Sequence, residues 1–143
     1  MPDIYHAVLR LHRKIYIATD GRLGHRLLFG NPTLLLRTTG RRTGLERTTA
    51  LTYGRDRDAI LVVASAGGAD VAPSWMVNLR ADPDCTVQIG TARIRTTARI
   101  TYPDDPDYAR RWALMNDVNK GRYAEYQVQT SRVIPIVELS ERH

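Results

Sequence analysis

Apolar residues along this chain fall into short runs that are separated by glycine, proline and aspartate. Several runs are rich in β-branched side chains, and such runs between turn residues are typical of strands. The short polar connection over residues 54–58 predicts a hairpin between the second strand and the third. We predict six strands, over residues 33–39, 48–53, 59–65, 85–89, 92–102 and 133–139.

Helical spacing of apolar positions marks other segments. Residues 4–17 combine this spacing with basic residues between the apolar ones, which predicts a basic amphipathic helix. Such a helix packs on the core, covers an active site or lies on an anionic membrane. Proline and acidic residues at helix starts help to predict three further helices. The first begins at Pro73 or Ser74 and ends at Arg80, the second runs from the capping residues 103–106 to about Asn116, and the third spans residues 123–127.

These elements predict an α+β fold with a mostly antiparallel sheet and peripheral helices. The strands follow one another through hairpin-like connections, whereas a doubly wound parallel sheet, the alternative, needs long crossovers. A curled antiparallel sheet could close as a barrel. Because the 143 residues show no repeat and no linker, we expect one domain over residues 1–143, with a helical segment over 1–30 and a barrel core over 33–139.

Composition says little about the fold but more about the partner. The net charge is +6, and lysine appears only at Lys14 and Lys120, so almost all of the positive charge is arginine. Arginine suits bidentate recognition of phosphate and carboxylate. Charge alone leaves three anionic partners open, namely nucleic acid, an acidic membrane surface and a phosphorylated cofactor. The few aromatic residues are not interleaved with the basic positions, which argues against nucleic acid.

Cysteine and histidine argue against covalent and metal catalysis. Cys85 is the single cysteine and lies in an alternating strand pattern, so we expect a buried small side chain and not a nucleophile. One cysteine, no signal-like start and no long apolar segment favour a cytoplasmic protein. The four histidines are not in a metal-ligand spacing with cysteines or carboxylates, so no metal site is predicted.

The first candidate site is the connection between the first two strands. Two glycines bracket two arginines and a threonine there, and a further arginine begins the next strand. Backbone N–H groups and guanidinium groups in one loop suit an anion. The alternative is a solvated hairpin with ordinary surface arginines. The candidate residues are Thr39, Gly40, Arg41, Arg42, Thr43, Gly44 and Arg47.

The second candidate site follows the third strand, where a serine and two glycines lead toward a helix. Glycines allow backbone to approach a ligand closely, and a helix start favours an anionic group. Trp75 in the first helical turn could wall a planar ring; the alternative is a core aromatic beside an ordinary turn. The candidate residues are Ala64, Ser65, Ala66, Gly67, Gly68, Trp75 and Asn78.

From about residue 34 to residue 139, the chain resembles the deazaflavin-dependent nitroreductases, the F420H2-dependent quinone reductase group of split β-barrel proteins. The resemblance rests on several ordered motifs rather than on one glycine loop. The matching segments are residues 39–44 with Arg47, residues 63–68, residues 73–75 with Asn78 and Leu79, and residues 82–83, 87–90, 123–127 and 130–135.

The resemblance implies a split β-barrel that binds coenzyme F420, an 8-hydroxy-5-deazaflavin with a phosphate and an oligoglutamyl tail. Arg41, Arg42 and Arg47 would meet the phosphate and the tail, while the loop over residues 65–68 and the Trp75 helix would surround the deazaflavin. Such enzymes transfer a hydride to a quinone, a nitroaromatic or an activated alkene. Ser65, Tyr123 and Tyr126 are the candidates for contact with this substrate, either tyrosine being alternatively a packing residue.

Three positions depart from the family pattern. Ala66 replaces a lysine that some members carry, Lys120 replaces a tyrosine, and Ala50 replaces a proline. These departures remove one positive charge but are compatible with cofactor binding, and they leave the substrate open, so reduction of nitroimidazoles is not assumed. The alternatives are an FMN-dependent split-barrel oxidoreductase and a non-catalytic F420-binding carrier. A lipophilic quinone would also give the N-terminal helix a reason to contact the inner face of the membrane.

Overall fold

The computed structural model describes residues 30–142. The predicted amphipathic helix over residues 4–17, and with it the question of membrane contact, lies outside the described residues.

Seven strands, three α-helices and a 3₁₀ turn position the residues of interest in this part of the chain. The strands are β1 (Thr33–Thr39), β2 (Glu46–Thr52), β3 (Gly54–Asp56), β4 (Ala59–Val63), β5 (Asp84–Ile89), β6 (Ala92–Thr101) and β7 (Ile136–Glu141). The helices are α1 (Ser74–Ala81), α2 (Tyr108–Val118) and α3 (Arg122–Val128), and the 3₁₀ turn is Ala66–Gly68.

The strands form one sheet in the order β2-β1-β5-β6-β7-β4-β3. Every pairing is antiparallel, which confirms the predicted sheet and excludes the doubly wound alternative. In the β1–β2 ladder, Thr38 lies opposite Arg47 and Thr39 lies opposite Glu46. This register places the loop over residues 40–45 at the end of a fully paired hairpin.

The sheet is strongly curled, as a split barrel requires. Leu34 of β1 and Val62 of β4 belong to the same buried core cluster, although three strands lie between β1 and β4 in the sheet order. Strands this far apart can share a core only if the sheet bends around it. Trp75, Met76 and Leu79 of α1 pack into the same cluster, so this helix lies against the core of the curled sheet.

The outer face of β4 carries the other helices. Leu61 and Val63 alternate with Val62 along the strand and therefore point to the opposite face, where Met115 of α2 and Tyr123 of α3 cover them. Alternate residues of β4 thus pack in the barrel interior and against the layer formed by α2 and α3.

The predicted hairpin between the second and third strands is wrong. Residues 54–56 form the short strand β3, which pairs with β4, while β2 lies at the opposite edge of the sheet. Gly54 permits this course because a Cβ at that position would lie 2.6 Å from the Met115 sulfur. The residues that were predicted to be a turn therefore form part of a seventh strand, which packs against α2.

Two predicted boundaries also shift for identifiable reasons. The last strand begins at Ile136 and not at Val133, because the Ile134 N–H donates to the side-chain carbonyl of Gln127 at 2.9 Å and so does not enter the ladder. The second strand begins at Glu46 and not at Thr48, because its pairing with β1 extends to Thr39.

Ion pairs hold α2 on the sheet. Asp56 of β3 accepts hydrogen bonds from Arg110 at 2.6 Å and from Arg111 at 2.8 Å. Arg111 also donates to Glu138 of β7 at 2.6 Å, and Arg99 of β6 donates to the same carboxylate at 3.1 Å. Arg111 and Asp56 are both buried, so each depends on the other for compensation of its charge.

Replacing Asp56 should remove a pH-dependent part of the stability. Hydrogen bonds from Arg110, with help from Arg111, hold the pKa of Asp56 at about 2, below its ordinary 3.8. A depressed carboxyl pKa stabilises the fold above the unfolded-state pKa, and this stabilisation is lost as the pH falls through the folded-state value. We expect Asp56→Asn to lower the free energy of unfolding at neutral pH by about 3 kcal/mol, because the buried Arg111 loses one of its two carboxylate partners and keeps only Glu138.

Urea unfolding between pH 7 and pH 2 checks this expectation. The difference between the wild type and Asp56→Asn should shrink as the pH falls from about 4 toward 2, where Asp56 becomes protonated. Asp104→Asn, the same change at an exposed carboxylate, is the control. A difference that stays constant over this pH range would exclude Asp56 as the titrating group.

Candidate functional site

The β1–β2 loop is closed by its own backbone. The Gly40 N–H donates to the Leu45 carbonyl, and the Gly44 N–H donates to the Gly40 carbonyl, both at 2.8 Å. A Cβ on Gly40 would lie 3.0 Å from that Leu45 carbonyl oxygen. Gly44 has a φ of +71°, which favours glycine. These constraints fix a tight loop whose three arginine side chains, Arg41, Arg42 and Arg47, are exposed.

A buried amide on α1 orients the first of these arginines. The side-chain oxygen of Asn78 accepts hydrogen bonds from the Arg41 guanidinium at 2.8 Å and from the Arg41 backbone N–H at 3.2 Å. The Asn78 amide nitrogen donates to the Thr38 hydroxyl at 3.4 Å. Asn78 is 4% exposed. Asn78 thus bonds to Arg41 and to Thr38 of β1, and in this way it connects α1 with the arginine loop.

The arginine loop and the start of α1 enclose one open hollow of about 420 Å³. We call it the arginine hollow. Its lining brings together most of the first predicted site with Trp75 and Asn78 of the second. The lining residues are Gly40, Arg41, Arg42, Thr43, Arg47, Thr48, Thr49, Ser74, Trp75 and Asn78.

The charge of the arginine hollow is one-sided. Three guanidinium groups line it, and no carboxylate does. Within residues 30–142, none of the three arginines forms an ion pair. Ser74 lies at the N-terminus of α1, where the helix dipole adds further positive potential. The hollow is therefore suited to an anionic group with several oxygen atoms.

Trp75 is both a core aromatic and part of the wall of the arginine hollow, the two alternatives that the sequence left open. Its side chain is 6% exposed and packs in the barrel core. It also contributes to the wall of the arginine hollow. A rigid aromatic at this point gives the hollow a flat apolar side next to its charged side.

The second predicted loop does not line the arginine hollow. Residues 66, 67 and 68 have φ values of +47°, +65° and +87°, three left-handed positions in succession. The turn packs on α3, where a Cβ at Gly68 would lie 2.8 Å from the Gln129 side chain and 3.0 Å from the Tyr126 carbonyl. Ser65, which precedes the turn, is 7% exposed. The structure thus joins this loop to α3, while the arginine loop is joined to α1.

Tyr123 and Tyr126 lie next to this second loop on α3. Tyr123 is 5% exposed and forms an edge contact with the Tyr126 ring, with the ring centres 6.3 Å apart. Tyr126 is half-buried, and burial raises the pKa of its phenol. The Tyr126 hydroxyl makes no hydrogen bond to any residue of the described part of the chain, so it remains available as a donor.

Two predicted residues lie on the other side of the arginine loop. Thr39 and Gly44 line a second hollow of about 320 Å³, together with Glu46, Asp82 and Asp84. Because carboxylates and arginines share this lining, it lacks the one-sided charge of the arginine hollow. Thr38, whose hydroxyl accepts from the Asn78 amide, also lines this second hollow.

Arg132 is the residue that sequence reasoning missed. Its guanidinium donates to the carbonyl oxygens of Ala64, Ser65 and Ala69, at 3.1 to 3.2 Å. The only available signal was its position inside the matching segment over residues 130–135, which gave it no role.

The remaining chemical groups add no other centre within residues 30–142. No group of three metal-ligating side chains comes together there. Cys85 is buried, and burial raises the pKa of its thiol, which confirms the prediction of a small buried side chain. None of the described helices has the length and apolar character needed to cross a bilayer.

Comparison with known proteins gives consistent matches. A model of the family described as F420H(2)-dependent quinone reductase matches residues 8–141. A curated protein of Mycobacterium tuberculosis (strain ATCC 25618 / H37Rv), named F420H(2)-dependent quinone reductase, is 51% identical over 135 residues, which are 94% of this chain and 91% of that protein.

Solved structures agree with the sequence matches. A structure of an F420-H2 dependent reductase (FDR-A) superposes with a TM-score of 0.68 at 33% identity, over 76% of this chain and 94% of that one. A second structure, described as a domain-swapped dimer, has a TM-score of 0.71 at 28% identity, over 98% of this chain and all of that one. These likenesses confirm the split β-barrel class.

Adding a methyl group to Gly68 should loosen the second loop from α3. We expect Gly68→Ala to lower the free energy of unfolding by about 2–3 kcal/mol, because the left-handed backbone and the close Tyr126 carbonyl both oppose a Cβ. Gly90→Ala is the control, since Gly90 has a φ of +60° and nothing within 4 Å of its Cβ position. We expect about 1 kcal/mol there. Equal losses in urea unfolding would show that α3 places no constraint on Gly68.

Proposed function

Because this chain belongs to the F420H(2)-dependent quinone reductase family, we propose that it transfers a hydride from reduced coenzyme F420 to a quinone-type acceptor. One observation carries the proposal. The arginine hollow presents three guanidinium groups without a carboxylate among them, and it lies beside the first turn of α1. A hollow with this charge suits the phosphate and the acidic tail of F420.

The residues present fit this cofactor. Arg42 and Arg47 are exposed and unpaired among the described residues, so they would bind phosphate or tail carboxylates with little rearrangement. Arg41 is held in place by Asn78 and would add a third contact of fixed direction. The hydroxyl groups of Thr48, Thr49 and Ser74 would serve as further donors in the same hollow.

The deazaflavin would lie against the other candidate residues. Trp75 offers an apolar wall at the rim of the hollow, and the chain from Ser65 to Ser74 connects the second loop to α1. We assign ring contacts to residues 64–68, which follow β4 directly. Ala66 replaces the lysine of some members, so contacts at this position would come from the backbone.

When bound, F420 supplies the hydride, so the protein itself needs no nucleophile. Its residues orient the acceptor and stabilise the charge that develops on it. Tyr126 is suited to this task because its phenol is half-buried and its hydroxyl makes no hydrogen bond among the described residues. Tyr123 would hold the Tyr126 ring from behind, and Ser65 would contribute a second hydroxyl from the facing loop.

Titration with oxidised F420 tests the cofactor assignment. We expect saturable binding that weakens with added salt, because the contacts are ionic and exposed. Arg42→Ala and Arg47→Ala should each weaken binding by about tenfold to a hundredfold, the loss of one charged hydrogen-bond donor. Arg95→Ala, which removes the same charge from an exposed position on β6, should bind like the wild type.

The outcomes separate the alternatives. Binding of FMN in preference to F420 would contradict the cofactor assignment. Binding of F420 without oxidation of its reduced form by any quinone would identify a carrier and not an enzyme. An Arg95→Ala variant that loses as much affinity as Arg47→Ala would show that net charge, and not the arginine hollow, governs binding.

Removing the Tyr126 hydroxyl should affect turnover and not cofactor binding. We expect Tyr126→Phe to lower kcat with a quinone by about tenfold to a hundredfold, the typical loss of one donor to a developing oxyanion. The F420 dissociation constant should stay within about twofold, because the phenol lies outside the arginine hollow. Steady-state kinetics with Tyr102→Phe as the control measures this effect. An unchanged kcat would return Tyr126 to a packing role.

A further inference from the structure

We propose that Arg132 is a positioning residue that holds the loop over residues 64–69 in the conformation that receives the deazaflavin. The proposal rests on the proposed function, since the loop matters for the reaction only if the cofactor contacts it. Arg132 itself reaches the site only through this loop.

The Arg132 guanidinium donates hydrogen bonds to the backbone of this loop. Its Nη1 donates to the Ala64 carbonyl at 3.1 Å, and its Nη2 donates to the carbonyls of Ser65 at 3.1 Å and Ala69 at 3.2 Å. Its Nε donates to the same Ala69 carbonyl at 3.2 Å. One planar group therefore gathers three carbonyl oxygens from the two ends of the loop.

The loop needs such support because its backbone is unusual. Ala66, Gly67 and Gly68 all have positive φ, and Ala66 carries a Cβ that disfavours this region. Within the loop only two backbone hydrogen bonds form, from Gly68 to Ser65 and from Ala69 to Ala66. Without Arg132, the carbonyls of Ala64 and Ala69 would lose this donor and the Ser65 carbonyl would keep only the Gly68 N–H, so two weak internal hydrogen bonds would be left to oppose relaxation to a more ordinary backbone.

Holding the carbonyls on one side has a consequence for the N–H groups. Ser65 is right-handed and Ala66 is left-handed, a pair of conformations that turns successive N–H groups toward one concave point. The N–H groups of Ala66 and Gly67 make no hydrogen bond to any residue between 30 and 142. They would be donors for an electron-rich edge of the deazaflavin.

Arg132 also makes one of these donors stronger. The Ser65 carbonyl and the Ala66 N–H belong to the same peptide group, so a cation bound to that oxygen polarises the N–H. Arg132 forms no ion pair with a described residue, so its charge acts on the carbonyls without being neutralised by a carboxylate.

The position of Arg132 is set in turn by α3. The Gln127 side chain donates to the Arg132 carbonyl at 2.7 Å and accepts from the Ile134 N–H at 2.9 Å. The Thr130 hydroxyl accepts from the Arg132 N–H at 3.1 Å and donates to Asp70 at 2.7 Å. The segment that carries Arg132 is thereby fixed at both ends, with Tyr126 on the adjoining helix.

Arg132→Lys and Arg132→Ala test the proposal, with Arg95→Lys and Arg95→Ala as matched controls. A lysine keeps the charge but cannot reach three carbonyls from one plane. In the cofactor-free protein, we expect backbone hydrogen exchange of residues 64–70 to rise at least tenfold in Arg132→Lys, while exchange in the β1–β2 ladder stays unchanged. In titrations, the F420 dissociation constant should rise at least tenfold, and the Arg95 variants should match the wild type.

Rescue separates positioning from general destabilisation. Adding guanidinium chloride at millimolar concentration to Arg132→Ala should recover part of the F420 affinity, and the same concentration of sodium chloride should not. If the wild type binds F420 and Arg132→Lys binds it equally well, the positioning role is overturned while the proposed function stands. If the wild type does not bind F420, the proposed function fails and this role with it; unchanged exchange of residues 64–70 in Arg132→Lys would overturn the holding contact itself.

Discussion

The site depends on keeping guanidinium groups close together without neutralising them. The protein does this by sorting its arginines. Arg99, Arg110 and Arg111 are paired with carboxylates and hold α2 to the sheet. Around the arginine hollow, the only side-chain partner that Arg41 has among residues 30–142 is the neutral amide of Asn78, which fixes direction without cancelling charge. Repulsion among the site arginines is tolerable because they are exposed to water until an anion binds.

The same division explains why the two loops use glycine differently. Gly40 lets the arginine loop fold onto its own carbonyl oxygens, and the side chains then supply the charge. Gly68 lets the second loop press against α3, and there the backbone supplies the polar groups. In the proposed function, one loop would therefore recognise an anion through arginine side chains, and the other would present N–H groups to a planar partner. Both depend on close backbone approach that a Cβ would prevent.

The sequence predicted what local patterns encode and missed what distant contacts create. Strand β1 was predicted with its observed bounds because an apolar run between turn residues is a local signal. The arginine loop was also predicted from a local signal, namely two glycines that bracket two arginines and a threonine. Arg132 bonds to carbonyls 63 to 68 positions away, and Asn78 to a loop 37 positions away, so no local pattern could assign either contact. Strand β3 was missed because its three residues read as a turn until α2 packs against Gly54.

Arginine is the side chain whose chemistry meets all the demands at position 132. The loop presents three carbonyl oxygens on one side, so the partner must carry several N–H donors. An amide has two donors, and a lysine has three that point away from a common plane, whereas guanidinium has five in a plane. Its charge further favours electron-rich ligands on the opposite side of the same peptide groups. Because Gln127 of α3 fixes the carbonyl of this residue, the helix that carries the candidate donor Tyr126 and the loop that carries Ser65 share one support. Arg132 therefore links the two elements, in addition to the direct packing of Gly68 on α3.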